Sequence, residues 1–483
     1  MLRPATSWRW CAALLCLALA LPVFAQSPAE SQPSDTQPAS QPASQPVSQP
    51  ATQPVSQPTS AATSSLPTTT TATTSTTTVA TTQAAPEKER FLAVINGRVH
   101  TVTGPVLERA TVLSRNGIIT AIGEHVVLPP ECVVVDATGL EVYPGLVAAV
   151  AGGLHGVNQP RDTTNVYALN MAIALAGGIT TALAGNDVAK LTYGTTQDLI
   201  LKANAYLNIN YATRSPLERA QLRADLERVR TYLRDVQRFE REKAVNKDAK
   251  PPDKEWLKEK YENYRKLLAR EVISVATANS THELADLADL AQTYGFDLVV
   301  RGAVEGWTVA PALGRAGVRA VITPRDERAP DDRFNRPNGS SIENARILHT
   351  HGVTVAVVPP TAAITLWGLA GRDLLHLNME AAFAVRGGLS NDAAVRTITI
   401  DAARVLGVDD RIGSLEIGKD ADIVVCDGDL LHYMTQVRYT IVNGRVAYDK
   451  AKETLFAHIR PQGKPEVPQF DDYWPRRLQW VGE

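Results

Sequence analysis

The sequence predicts an α/β protein whose parallel sheet is most economically a (β/α)8 barrel. Short apolar runs at 180–184, 272–276, 298–300, 319–322 and 353–358 alternate with helical stretches over about 250 residues, the rhythm of parallel strands joined by crossover helices. Before that stretch, β-branched runs at 91–95, 110–114, 118–122 and 132–135 read as short strands. After Leu406, strands return at 423–426 and 439–442. Asn96-Gly97, Asn116-Gly117 and Asn443-Gly444 mark turns, because both positions tolerate positive φ. The pattern changes at Pro144-Gly145-Leu146, where the alternating part begins.

Residues 1–25 read as a cleaved secretory leader. Arg3 and Arg9 give a basic start, 11–21 an apolar core, and Val23-Phe24-Ala25 a cleavage site before Gln26. The apolar run is short of the roughly 20 residues that span a bilayer; an uncleaved anchor and a buried helix are the other readings. Export to the periplasm or outside the cell follows, with no transmembrane span in the mature chain. Residues 26–88 are expected to stay disordered. A Gln-Pro pair recurs every four residues from 37 to 57, followed by a Thr/Ser/Ala run, and such a segment has too little apolar surface to offset its ordering entropy. It is either a tether or a non-specific linker.

About 395 residues of globular composition remain, enough for one large barrel with an accessory domain. The 49 Lys and Arg against 51 Asp and Glu give a net charge of −2. Losing Arg3 and Arg9 leaves 47 against 51, a net −4, which points away from nucleic acid and anionic membrane surfaces. Cys132 and Cys426 survive cleavage. They either pair or stay as free thiols; two cysteines make no disulfide framework.

One stretch, about 215–270, departs from the strand–helix rhythm. Ser215-Pro216-Leu217-Glu218 is a capping box with proline at the first helical position. Leu222, Leu226, Val229, Leu233 and Val236 then form one apolar seam on a charged helix. Pro251-Pro252 breaks it before a second helix running to about Arg270. The hairpin either covers the barrel mouth, binds another subunit, or packs on its own barrel.

Three stretches carry a resemblance. The first is 118–123 with Val135-Asp136-Ala137-Thr138-Gly139 and Pro144-Gly145-Leu146, and the second is Ala176-Gly177-Gly178-Ile179-Thr180-Thr181. The third joins Ala402-Ala403-Arg404-Val405-Leu406-Gly407 to the run from Arg411 through Gly413, Gly418, Asp420 and Asp422 to Val424. Together they resemble the amidohydrolase superfamily, particularly its imidazolonepropionase-like and periplasmic members, over about 91–450. The resemblance implies a distorted (β/α)8 barrel at 144–410. It also implies a β-sandwich assembled from 89–143 and 411–460. Beyond the resemblance, Phe470, Tyr473, Trp474 and Trp480 in a C-terminal arm at 461–483 are expected to pack onto the domain, with ligand binding as the other reading.

In that superfamily one or two divalent metals, usually zinc, polarise a carbonyl and generate hydroxide. The His-x-His pair that normally follows Pro-Gly-Leu is replaced by Val150 and Gly152. The histidines of the fifth and sixth strands match Thr277 and Arg301, and the aspartate of the eighth falls near Pro359-Pro360. The metal site is therefore expected to be lost, with no cofactor; zinc or another divalent metal belongs to the alternative, an active hydrolase. His349 and His351, the one His-x-His, lie at the wrong face. His155 could face the mouth, whereas His282 is expected on an exposed helix surface.

Asn279, Arg301, Glu305, Thr323, Arg325 and Asp326 all follow strand-like runs and are candidates for a polar mouth. Arg301 and Glu305 either pair, or Arg301 and Arg325 hold a small anion where metals would otherwise sit. The charged run 325–336 reads as a solvated loop. There is no phosphate loop, no Gly-x-Ser-x-Gly elbow and no Cys/His cluster. Two functions follow: a metal-site-degenerate homologue acting as a ligand-binding protein or as partner to an active paralogue or second copy; or an active hydrolase of C–N (amide or cyclic amide) bonds with an atypical site.

Overall fold

The computed structural model describes residues 89–452 apart from 157, 212–214, 248 and 366–371. The chain divides into 1–82 and 83–483, and every described residue belongs to the second unit. The leader, the linker and the arm at 461–483 lie outside the described residues.

Five strands open the described part: β1 (Phe91–His100), β2 (Val106–Arg115), β3 (Ile118–Gly123), β4 (Val133–Asp136) and β5 (Glu141–Pro144). Three more close it: β15 (Ile423–Cys426), β16 (Val437–Val442) and β17 (Arg445–Asp449). All eight join in one hydrogen-bonded sheet, ordered β17-β16-β15-β5-β1-β2-β3 with β4 beside β1, in place of two separate layers. The two ends of the chain meet where β5 pairs antiparallel with β15, Val424 opposite Tyr143. The sheet curls back on itself, since Ile119 N–H donates to the Lys419 carbonyl at 2.8 Å and the Ile119 carbonyl accepts from Gly418 N–H at 2.9 Å. Its inward face buries Val94, Val112, Ile119, Val135, Ile423 and Ile441 in one cluster.

Asn116-Gly117 and Asn443-Gly444 form the expected turns with positive φ at both positions. Asn96-Gly97 does not: β1 runs through it, with a register shift against β2 between Val94 and Gly97. A Cβ on Gly97 would stand 2.4 Å from Val142 Cγ2, so glycine here allows close approach instead of reversing the chain.

The middle of the chain holds two sheets. One is fully parallel: β10 (Tyr206–Asn208), β11 (Ile273–Ala278), β12 (Leu298–Gly302), β13 (Arg319–Ile322) and β14 (Thr354–Val357). The other comprises β6 (Leu146–Ala148), β7 (Ile179–Ala184), β8 (Asp187–Lys190) and β9 (Ile200–Lys202). Only β6–β7 is parallel there; β7–β8 and β8–β9 are antiparallel. The uniform alternation expected from sequence therefore fails at 185–186, where a two-residue turn makes a hairpin instead of a crossover. Among the described residues no continuous ladder closes the two sheets into a ring; an isolated parallel bridge, Gly152 to Ala363, joins the segments that follow β6 and β14.

The helices are α1 (Pro160–Thr163), α2 (Leu169–Ala176), α3 (Pro216–Lys243), α4 (Lys260–Leu268), α5 (Thr281–Tyr294), α6 (Gly306–Arg315), α7 (Asn344–Thr350), α8 (Leu377–Arg386), α9 (Asn391–Thr397) and α10 (Ile400–Leu406). Among the described residues, none is long and apolar enough to cross a membrane. Strand side chains alternate faces, and the core divides accordingly. Ala276, Val300, Ala320, Val355 and Val357 pack outward with Leu284, Leu287 and Leu313 of the helices. Val147, Ala149, Leu183, Val188, Tyr206, Val275, Val299, Val321 and Ala356, from both sheets, share a second cluster with Ala402, Val405 and Leu406 of α10.

The helical hairpin packs on its own domain. Ser215 accepts from Glu218 N–H at the start of α3, and Leu222, Leu226 and Val229 are buried. Arg219 pairs with Asp286 of α5 at 3.2 Å. Farther out, Leu233 and Val236 are only half-buried.

Candidate functional site

Thr277 and Arg301 are register partners on β11 and β12, and Arg301 is in turn opposite Val321 on β13. Each lies two residues beyond a member of the two-sheet cluster, Val275, Val299 and Ile322's neighbour Val321 being buried there. Parallel pairing puts Thr277 and Arg301 on one face, at the C-terminal edge of the sheet. Thr277 is exposed and Arg301 half-buried. Val150 packs against the same cluster, while Gly152 and Pro360 are exposed.

Arg301 stands out electrically. Its guanidinium carbon is 5.8 Å from the Tyr206 ring centroid, and its Nε is buried with no hydrogen-bond partner. No carboxylate pairs with it among the described residues. Burial pulls its pKa down, against the smaller opposing effect of Tyr206, because a desolvated charge lacks a counter-ion. Tyr206 is itself committed, donating to the Val405 carbonyl at 2.7 Å, and burial pushes its pKa up.

The other candidate cations are already neutralised. Arg325 does not join Arg301; its Nε donates to Glu380 at 2.8 Å, and its guanidinium lies over Phe383. Glu380 is fully buried, and burial raises its pKa despite the nearby Arg325. Glu305 does not pair with Arg301 either. It accepts from Thr281 N–H and Oγ1 at 2.9 and 2.7 Å, from Gly339 N–H at 3.2 Å, and from Arg336 at 3.3 Å. Burial works against its charge, but these donors outweigh it and hold the pKa below the usual carboxylate range. The run 325–336 is thus pinned over the starts of α5 and α6. Asp326 is exposed beyond β13 and Thr323 half-buried.

Asn279 directly follows β11, with its Oδ1 buried and unpartnered beside Gly302. A Cβ at Gly302 would come within 2.2 Å of that oxygen, and Gly302 has φ +93. His155 is withdrawn from the mouth. Its Nε2 donates to the Lys190 carbonyl at 3.0 Å, in register with Thr181 near the start of β7. Burial lowers its pKa, leaving a neutral ring with Nδ1 unpartnered. His349 and His351 are exposed at the end of α7, ahead of β14, and His282 is exposed on α5.

Two aliphatic positions, a glycine, a hydroxyl and a guanidinium are not a donor set for a divalent cation. Among the described residues, no group of three or more His, Cys, Asp or Glu is placed to hold a metal. Cys132 is half-buried and Cys426 buried, and both are free.

One charged cluster escaped the sequence reading. Lys190, 1% exposed, ends β8 and reaches Asp420 at 2.6 Å, Asp422 at 3.0 Å and Asn443 Oδ1 at 2.5 Å. Arg411 also pairs with Asp420, at 2.7 Å. The signal available was a lone lysine in an apolar strand and Asp-x-Asp in the motif before β15.

An amidohydrolase family model matches residues 307–448. Imidazolonepropionase from Mesorhizobium japonicum is 33% identical over 129 residues, covering 24% of this chain and 26% of that protein. A 5-methylthioadenosine/S-adenosylhomocysteine deaminase from Symbiobacterium thermophilum is 38% identical over 107 residues, 17% of this chain and 24% of that protein. The matches thus span about a quarter of these curated relatives. The crystal structure of an amidohydrolase from Thermotoga maritima superposes with TM-score 0.56 at 22% identity, over 74% of this chain and 100% of that one. That likeness concerns the fold.

Proposed function

We propose that this chain is a member of the amidohydrolase superfamily, on the local matches to its family model and to imidazolonepropionases, and that it is exported and has exchanged its metal centre for a binding site. The two central sheets are read as arcs of one distorted (β/α)8 barrel, because a single apolar cluster is built from both. The curled eight-stranded sheet is read as the accessory β-domain formed from both ends of the folded chain. The observation that supports the functional reading is Arg301, a cation with no counter-ion among the described residues, at a position where the resemblance places a metal-binding histidine. A fixed positive charge there repels a divalent cation, and Val150, Gly152 and Thr277 offer too few donors to compensate.

Such a protein binds a ligand, or serves a catalytic paralogue or a second copy of itself, and does not hydrolyse C–N bonds. The test is elemental analysis of freshly purified protein beside a hydrolysis screen with amide and cyclic amide substrates, with and without added zinc, manganese or nickel. The expected result is no stoichiometric metal and no turnover. About one metal per chain, or turnover abolished by a chelator, would establish the active hydrolase instead.

A further inference from the structure

We propose that Arg301 anchors a binding site for a small monocarboxylate, with the Thr277 hydroxyl as its second contact and the apolar cluster of the two sheets as its floor. The inference rests on the reading of the mouth as a binding site and names what that site takes.

The charge inventory decides the class of ligand. Arg319 meets Asp297 at 3.6 Å, Arg325 meets Glu380 at 2.8 Å, and Arg336 meets Glu305 at 3.3 Å. Arg301 alone among these four arginines has no carboxylate, so one negative charge is missing. A planar carboxylate supplies that charge and matches the guanidinium fork. A phosphate monoester carries close to two charges and would leave the second uncompensated.

Geometry supports the same ligand. Thr277 is the register partner of Arg301 and is exposed, so a solvent-facing hydroxyl lies on the same face of the sheet as the guanidinium. Across β12 the neighbour is Val321, followed by Ala356, which offer no competing acceptor. A buried polar group without a partner carries a desolvation cost, and the orphaned Nε of Arg301 is such a group. The Tyr206 ring at 5.8 Å compensates weakly. An anion supplied from solution would satisfy the guanidinium without unpairing any other charge.

The test titrates the full chain with sodium acetate against sodium chloride at equal ionic strength, reading the 13C-acetate line width and the melting temperature. Inorganic phosphate is run in parallel. The wild type is expected to show saturable broadening and a rise in Tm with acetate, with phosphate no better than chloride. Arg301→Met should abolish both responses, and Thr277→Val should weaken binding several-fold. In chloride alone Arg301→Met should melt at the same temperature as wild type or higher, which separates loss of the site from loss of the fold.

A wild type indifferent to acetate would overturn the inference, as would saturable binding that survives Arg301→Met or phosphate binding more tightly than acetate. Metal content and turnover of the same samples are scored separately. Metal-free, inactive protein that ignores acetate removes this inference and leaves the degenerate-homologue reading standing. Chelator-sensitive turnover removes that reading whatever acetate does.

Discussion

Two cations in this molecule are drawn out of water in opposite ways. Lys190 is almost wholly buried, yet Asp420, Asp422 and Asn443 all face its ammonium. Arg301 is only half-buried, yet among the described residues no carboxylate pairs with its guanidinium. The first arrangement ties β8 to the segment leading into β15 and to the β16–β17 turn, so it joins two sheets. The second lies at the C-terminal edge of β12, where strand ends and loops shape sites in parallel-sheet proteins. A buried charge with full compensation fixes the fold, whereas one left without compensation is set up for a partner from outside.

If that contrast is right, the largest effect comes from breaking the compensated cluster. Among the described residues, Lys190→Met leaves buried Asp422 with only the Asn443 N–H at 2.9 Å and no cation, while Arg411 still attends Asp420. Removing one partner of a buried pair costs about 3–5 kcal/mol, read as a shifted midpoint in chemical denaturation. A loss below about 1 kcal/mol would show that the cluster is not what joins the sheets. Next comes Arg325→Met, which removes the guanidinium from fully buried Glu380 and leaves it the backbone N–H of residue 325 at 3.3 Å. The expected cost is about 2–3 kcal/mol. It should shrink at acidic pH, because burial already raises the Glu380 pKa and the neutral acid tolerates its pocket; a cost equal at pH 5 and pH 8 would contradict this.

How much of this could be read from the sequence depended on whether the signal was local. Most strand positions were legible from β-branched runs, and both Asn-Gly turns that reverse the chain were legible from their demand for positive φ. Asn96-Gly97 misled, since the same pair serves a bulge when Val142 crowds the strand. The β7–β8 hairpin was missed because Gly185-Asn186 lies inside what reads as one strand and its loop. Arg301 and Thr277 were singled out by the resemblance, but the partners of the charged side chains were not legible. Glu380 is 55 residues from Arg325 and Asp420 is 230 from Lys190. No local pattern encodes such pairs, and the nearby Arg301–Glu305 pairing that proximity suggested lost to Arg336 and three donors already converging on Glu305.

The uncompensated cation yields the opposite sign. Arg301→Met keeps a long unbranched side chain over Tyr206 and removes a charge that no carboxylate among the described residues attends. Stability in ligand-free buffer should rise by about 1–2 kcal/mol, seen as a higher denaturation midpoint. A drop of that size would mean Arg301 has a compensating partner in solution and is a structural residue, like Lys190.

The smallest effect tests the intermediate case, Glu305, a compensated charge that holds a loop instead of a sheet junction. Burial disfavours its ionised form, but Thr281, Gly339 and Arg336 outweigh that and lower its folded pKa. A lowered carboxylate pKa means the unfolded chain binds the proton more readily. The stabilisation is therefore fully present above the ordinary glutamate range, about 4.3, and is lost as pH falls through the folded value. Glu305→Gln removes the charge and reverses the polarity of half the side chain, so it should cost about 0.5–1 kcal/mol near neutral pH. The difference in Tm between wild type and variant should stay constant from pH 8 to about pH 6 and narrow toward pH 3. A difference that widens on acidification would mean that Glu305 is protonated in the folded state. The loop bearing Arg336 would then be held by Trp307, which donates to the Gly339 carbonyl at 3.0 Å, and not by the carboxylate.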